Sequence, residues 1–417
     1  MKIKFTLFLL LVIGLTLSFF IGSLKLWAAE QVNIGFILPL SRSSSNIGEQ
    51  IKLGASIAAE EINNRGGVGS LGGAMLKLIF ADSRTSARAG VKETEWLIKK
   101  MKVSVLCGAY NSFVTYFATA VAEKYRTPWV VNSSAMDEIT ERGFKYVFRP
   151  CNTAFYDARE QMDAIDHFSR ETGRRPLTIG QLYEATEWGR NHARNIRRLC
   201  RERNYFLVLD EPYFSDKEDF SSQLSLMRKR KPDLMIVALY TKDHILFSRQ
   251  HMRARVYFPF GIHSVGAGSE DPVFYRETPP EAIEYMFVQE DWPIDRIELP
   301  GVAQMLNRRF KKELGRSISA YGAQGYSNVW LIYDALERGG SRNREKIREA
   351  LAKTLITKGP ALITGYQIIS FDKKGQNVHA HGVVSQNQKG NRVTLWPLTN
   401  RASVAEPIWP VPKWEQR

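Results

Sequence analysis

Short apolar runs alternate with longer helical stripes along most of this chain, and that alternation restricts its fold more than any other feature. Residues 32–38 read VNIGFIL, a continuous apolar run of strand length. Behind it Ile47, Ile51, Ala55, Ala58, Ala59 and Ile62 recur at helical spacing, and Gly66 and Gly67 close the helix. The exchange repeats: a strand at 75–82, then Ala87, Val91, Ile98 and Met101 on a helix, a strand at 103–107, a helix at 112–124 and a strand at 128–132. Pro150 breaks the rhythm, which restarts with strands at 177–182, 205–209, 234–240 and 256–260 and helices over 189–203, 220–231 and 244–253. A helix at 325–336 and strands at 368–371 and 382–385 follow. Strands spaced by such helices make βαβ units and parallel sheets. Their unbroken apolar character is expected where helices cover both sheet faces. The units are too many for one small sheet, so the expected fold class is α/β with two doubly wound lobes.

The first 29 residues stand apart. Lys2 and Lys4 precede an apolar run from Phe5 to Phe20, and small residues close the segment at Ala28 and Ala29. That order is the pattern of a secretory signal peptide. The long apolar run and Trp27, where a small residue is preferred, leave an uncleaved anchor as the alternative. Either way the rest of the chain is expected to be exported, to the periplasm or the extracellular space. Cys107, Cys151 and Cys200 are odd in number and irregular in spacing, and read as small buried apolar residues. The net charge of +15 is spread over helices. Its clusters at 197–203 and 228–231 read as solvated helix faces, so no nucleic-acid partner is expected.

Motifs for chemistry are scarce. Residues 67–72 match G-x-G-x-x-G but lie after a helix and before a strand, the wrong side for a dinucleotide site. G-x-S-x-G and H-E-x-x-H are absent. His379 and His381 share a strand face without a third metal ligand. No enzyme activity, cofactor or metal is therefore expected. What remains is strand-to-helix turns. Asn111-Ser112 follows the strand ending at Gly108, and Asn132-Ser133-Ser134 follows the next strand. Helix N-termini carry unpaired N–H groups and partial positive charge, and in open α/β sheets such turns lie where ligands bind. Asn111, Ser112, Ser133 and Ser134 could grip one small anion, or the serines could serve only as helix caps.

The segments VNIGFILPLS, IGEQIKLGASIAAEEINNRGG, LCGAYNS, VVNSSAMDEITERGFKYVFRP, EATEWGRNHA, DFSSQL, KPDLMIVALY and SFDKKGQN, in this order, resemble the type I solute-binding proteins of ABC importers, specifically the leucine/isoleucine/valine-binding kind. The resemblance covers residues 32–396. It implies two lobes joined by three crossovers near Pro150, Gln289 and Gly365, closing on a ligand. One lobe would be 31–150 plus 291–362 and the other 151–290 plus 363–400. Residues 401–417 would form a Pro- and Trp-containing tail on the surface. The resemblance puts the ligand carboxylate on Ser112 and on the turn of Ser133, Ser134 and Ala135, where the family usually has threonine at the last position. It puts an aromatic wall at Trp188 and Tyr240, replaces a first-loop tyrosine by Ile47, and brings the family's ammonium-binding acid to His263. A histidine there would argue against a ligand with a free ammonium, since a buried ammonium needs a carboxylate. The expected function is capture of a small carboxylate or amide, amino-acid-like or aromatic, and its delivery to the membrane subunits of an ABC permease by a monomer. The alternative is a ligand-sensing module of a membrane signalling receptor.

Overall fold

The computed structural model describes residues 31–215, 217–292, 301–397 and 405–417. The expected leader lies outside them. Two sheets carry the fold. The first consists of β1 (Gln31–Leu38), β2 (Met75–Asp82), β3 (Val105–Gly108), β4 (Trp129–Val131) and β5 (Val147–Phe148), all parallel, in the order β2-β1-β3-β4-β5. The second contains β6 (Thr178–Glu184), β7 (Phe206–Tyr213), β8 (Leu234–Ala238), β9 (Ile262–Val265) and β10 (Phe287–Glu290). A two-stranded piece, β11 (Leu355–Ile356) with β12 (Ile369–Ser370), lies apart from both sheets. The hairpin of β13 (Val383–Gln388) and β14 (Asn391–Trp396) joins the second sheet antiparallel, giving the order β14-β13-β10-β9-β8-β6-β7. The described helices of nine or more residues are α1 (Ser45–Asn64), α2 (Ala87–Lys99), α3 (Ser112–Lys124), α4 (Ala154–Thr172), α5 (Glu187–Glu202), α6 (Ser221–Arg230), α7 (Thr241–Ala254), α8 (Val302–Leu314), α9 (Ala320–Gly339) and α10 (Arg344–Ala352).

Each sheet has its own covering on both faces. On the first, Phe36, Ile51, Ala55, Tyr326 and Leu331 fill one side, and Leu97, Val114, Ala118 and Trp129 the other. Helices α1 and α9 touch almost backbone to backbone, because a Cβ on Gly54 would stand 2.0 Å from the carbonyl oxygen of Gly322. Apolar burial on this scale, at ~25 cal/mol per Å², is what holds each lobe together. Polar contacts cross between lobes: Asn195 donates to Asp137 at 2.7 Å, Arg194 pairs with Glu138, Tyr321 donates to the Ala267 carbonyl at 3.3 Å, and Asn46 donates to Asp271.

Three expectations change. Residues 256–260 form no strand; Pro259 lacks a ladder donor, Gly261 turns the chain at φ +76°, and the strand begins at Ile262. Residues 363–380 pack on the first lobe, where Tyr366, Ile369 and Ala380 enter the core beside α9, so the last crossing follows Ala380 and not Gly365. The tail lies on the surface only in part: Glu406, Lys413 and 415–417 are exposed, but Trp409 and Val411 are buried among Phe168, Phe260 and Phe287, and the Trp414 indole donates to the Val256 carbonyl at 3.0 Å.

The three cysteines are free and buried, and burial pushes the Cys107 and Cys200 thiols up to about 12. Since the thiolate is the reactive form, a disulfide reagent should modify none of them in the native protein within minutes and all three in denaturant. Fast reaction of any one in the native state would show that its site opens.

Candidate functional site

The site begins with Gly108. Its φ is +116°, and a Cβ there would meet the Ile37 carbonyl oxygen at 2.2 Å, so only glycine lets β3 turn out beside β1. The turn delivers Asn111 to the N-cap of α3, where its side chain makes no cap bond, and Ser112 to the first turn. Ser112 and the neighbouring turn meet directly, for the Ser112 hydroxyl accepts from the Met136 N–H at 3.3 Å.

One narrow cavity between the lobes is lined by Ser112, Ser133 and Ala135 of the first lobe and by Trp188 and Tyr240 of the second. Ser133 donates to Gln324 at 2.6 Å and accepts from Asn132. Tyr110 and Tyr321 complete an aromatic wall: Trp188 and Tyr240 have ring centroids 5.0 Å apart, and Tyr110 and Tyr321 meet edge-on at 5.2 Å. Asn111 and Ile47 line an adjoining cavity that shares Tyr110 and Tyr240 with the first.

Two expected site residues are elsewhere. Ser134 is fully buried; its hydroxyl is spent on the carbonyls of Ala109 and Tyr110 and on Thr115, which locks the turn and leaves nothing for a ligand. His263 lies inside β9, two residues short of the strand's carboxyl end, stacked on Phe287 at 4.3 Å with Trp409 edge-on. Burial lowers it to about 3, so it is a neutral ring in an apolar core. Ligands bind beyond the carboxyl ends of strands, and that edge here belongs to Val265, Gly266 and Ala267.

The negative groups of the cavity are Asp157, Glu270 and Asp291, with Gln289 between them. Glu160 stands behind, accepting from the Gly382 N–H at 3.0 Å and from Gln289 at 3.1 Å. Sequence reasoning missed all of them, because the acids lie mostly on helices and no pair of them stands out along the chain. The nearest signal was position: Asp157 opens the helix after the first crossing, and Gln289 and Asp291 flank the second. Burial, reinforced by one another's charge, pushes Asp157 and Glu270 well above the carboxylate range. Burial, with the charge of Asp291 added, takes Glu160 up to about 8, and burial takes Asp291 to about 6.

These shifts make stability depend on pH. A carboxyl with a raised native pKa keeps a proton that the unfolded chain releases, so stability falls as pH rises towards 8. His192, His244 and His263, lowered to about 3, and His251, to about 4, pull the other way, but only below about 6.5 where an unfolded imidazole charges. The ligand-free protein should therefore lose at least about 1–2 kcal/mol, the share of one such carboxyl, between pH 6.5 and 8 in urea unfolding, and Glu160→Gln should make that slope shallower. A flat or rising profile would contradict the burial of these acids.

The GxGxxG loop is an αβ turn whose Gly69 and Ser70 N–H groups both bind the Glu337 carboxylate, at 2.7 and 2.9 Å. It offers no site. Among the described residues no group of His, Cys, Asp and Glu is placed to hold a metal, and no helix is long and apolar enough to cross a membrane.

The sequence pattern of the periplasmic binding proteins matches residues 31–391. The chain belongs to that family. This periplasmic binding protein is 27% identical over 393 residues to the Leu/Ile/Val-binding protein homolog 8 of Brucella melitensis, covering 93% of this chain and 96% of the relative. Its fold matches the branched-chain amino acid transporter substrate-binding protein of Streptococcus pneumoniae in complex with isoleucine at a TM-score of 0.73, with 22% identity, over 87% of this chain and 98% of that one. It matches a solute-binding protein of an ABC transporter from Rhodopseudomonas palustris in complex with 3,4-dihydroxybenzoic acid equally well, at 0.73 and 18% identity, over 87% and 95%. The family binds solutes and is not one of enzymes, and the two-lobed α/β architecture is that of the type I binding proteins.

Proposed function

We propose that this protein captures an amino-acid-like solute between its lobes, 31–150 plus 301–380 on one side and 151–290 plus 383–396 on the other, and delivers it to an ABC permease. The observation that carries the reading is the polarity of the cavity. At one end Ser112 and Ser133 stand at the N-terminal side of α3, where N–H groups and the helix dipole suit a carboxylate. Elsewhere in the cavity Glu270 and its neighbours suit an ammonium, and aromatic rings cover the space between lobes. With His263 in the core, the ground for a ligand lacking an ammonium is gone. The names of the relatives agree with an amino-acid ligand.

A thermal-shift screen of the exported chain against amino acids, aromatic acids and amides tests this, since a ligand of the closed form raises apparent stability by mass action. Amino acids should give the largest shifts, and shifts from aromatic acids or amides alone would refute the reading. Ser112→Ala should then weaken binding by about 1.5–3 kcal/mol, roughly ten- to hundredfold, in calorimetry. An unchanged dissociation constant would remove Ser112 from the ligand.

A further inference from the structure

The geometry points to a solute with a second cationic group beyond its ammonium, a diamino or guanidino acid, held by Asp157 and Asp291. This inference rests on the amino-acid reading of the same cavity. The reason is an imbalance of charge. Asp157, Glu270 and Asp291 line the cavity with Glu160 behind them, and among the described residues none of the four forms an ion pair with a lysine or arginine. Glu290 beside them does have a cation, the Arg392 guanidinium at 3.2 Å. The partners of the four are neutral donors. Gln289 reaches Asp157 at 3.2 Å and Glu160 at 3.1 Å, Gln324 reaches Asp291 at 2.9 Å, and the Asp291 N–H reaches Glu270. Arg159 acts on Glu160 only from a distance.

A second observation is independent of the carboxyls. Asn152 is 1% exposed, donates its amide to Glu160 at 3.2 Å and lies beside Asp157 and Asp291, yet its Oδ1 has no hydrogen-bond partner. A buried acceptor is rarely left unpaired, and this one lies beside two of the carboxyls that line the cavity. The α-ammonium of a solute needs one carboxylate, and Glu270 supplies it. Asp157 and Asp291 remain, and the charge of Asp291 opposes ionisation of Asp157 unless a cation joins them. A neutral side chain would leave Asp157 protonated, whereas an ammonium or guanidinium would ionise it and displace the proton.

Calorimetry on the exported chain with arginine, lysine, citrulline and norleucine separates the possibilities. Arginine should bind at least about tenfold tighter than citrulline, and lysine than norleucine, the worth of one added charge pair. Asp157→Asn and Asp291→Asn, close in shape to the native residues, should each shrink those ratios to below about threefold. A measurement without variants guards against misfolding: titration in two buffers of different ionisation heat should show more protons released by arginine than by citrulline. Citrulline and norleucine binding as well as their charged counterparts, with equal proton release, would overturn the second cation and leave the amino-acid reading standing. Ratios unchanged in both asparagine variants would overturn the assignment to these carboxyls. Failure of all four and of leucine to bind would sink both.

Discussion

Arg149→Met should lower the free energy of unfolding by about 3–5 kcal/mol, the scale of breaking a buried, charged hydrogen-bond network. The guanidinium is fully buried. It donates to Gln376 at 2.6 Å, to the carbonyls of Ser134 and Met136 at 3.2 and 2.6 Å, and to Thr140 at 2.8 Å. Its backbone also pairs with Gly375 and Asn377, tying the first crossing to the chain that leads into the last. Methionine fills most of the volume but leaves two carbonyls and an amide without donors. The Ser133–Ala135 turn hangs on those carbonyls, so solute binding should weaken with stability. Urea unfolding checks the first effect; a loss below ~1 kcal/mol would mean that water replaces the guanidinium without strain.

Glu270→Gln should have the opposite signature. Removing the carboxyl proposed to face the ammonium would leave that cation buried without a counter-charge, at a cost of about 3–5 kcal/mol in binding, roughly a hundred- to several-thousandfold. The ligand-free protein, relieved of a repelling neighbour of Asp291 and Glu290, should be no less stable than the native chain near pH 8. Binding lost without loss of stability distinguishes a ligand contact from a structural one. Parallel loss of both would make Glu270 a packing residue.

How much of this was legible in the sequence depends on the range of the interaction that decides each feature. The strand from 75 to 82 and the helix from 112 to 124 emerged at their true bounds, because apolar period and a nearby cap are local. Gly108 and Ser112 were legible for the same reason, and the resemblance carried Trp188 and Tyr240 to the cavity wall. Ser134 could not be told from Ser133 by its turn, since the choice between ligand and Thr115 is made by a hydroxyl nineteen residues away. His263 was misplaced by two residues along a strand, a slip that moves a side chain from the ligand edge into the core. The tail read as surface because its prolines break regular structure, while Trp409 buries itself against helix α4 and strand β10, a tertiary fact. Asp157, Glu270 and Asp291 come together on the second lobe and at its edge from segments more than twenty to a hundred residues apart, and nothing local in the chain records that meeting.

The most direct measurement is calorimetric binding of the amino acid that gives the largest thermal shift, set beside its carboxyl amide and its N-acetyl derivative. A cavity with a serine-lined helix end for the carboxylate and buried carboxyls for the ammonium predicts that each modification weakens binding by at least about tenfold. Equal affinity for the amino acid and both derivatives would mean that the solute is not held by its charged ends, and the account would be wrong.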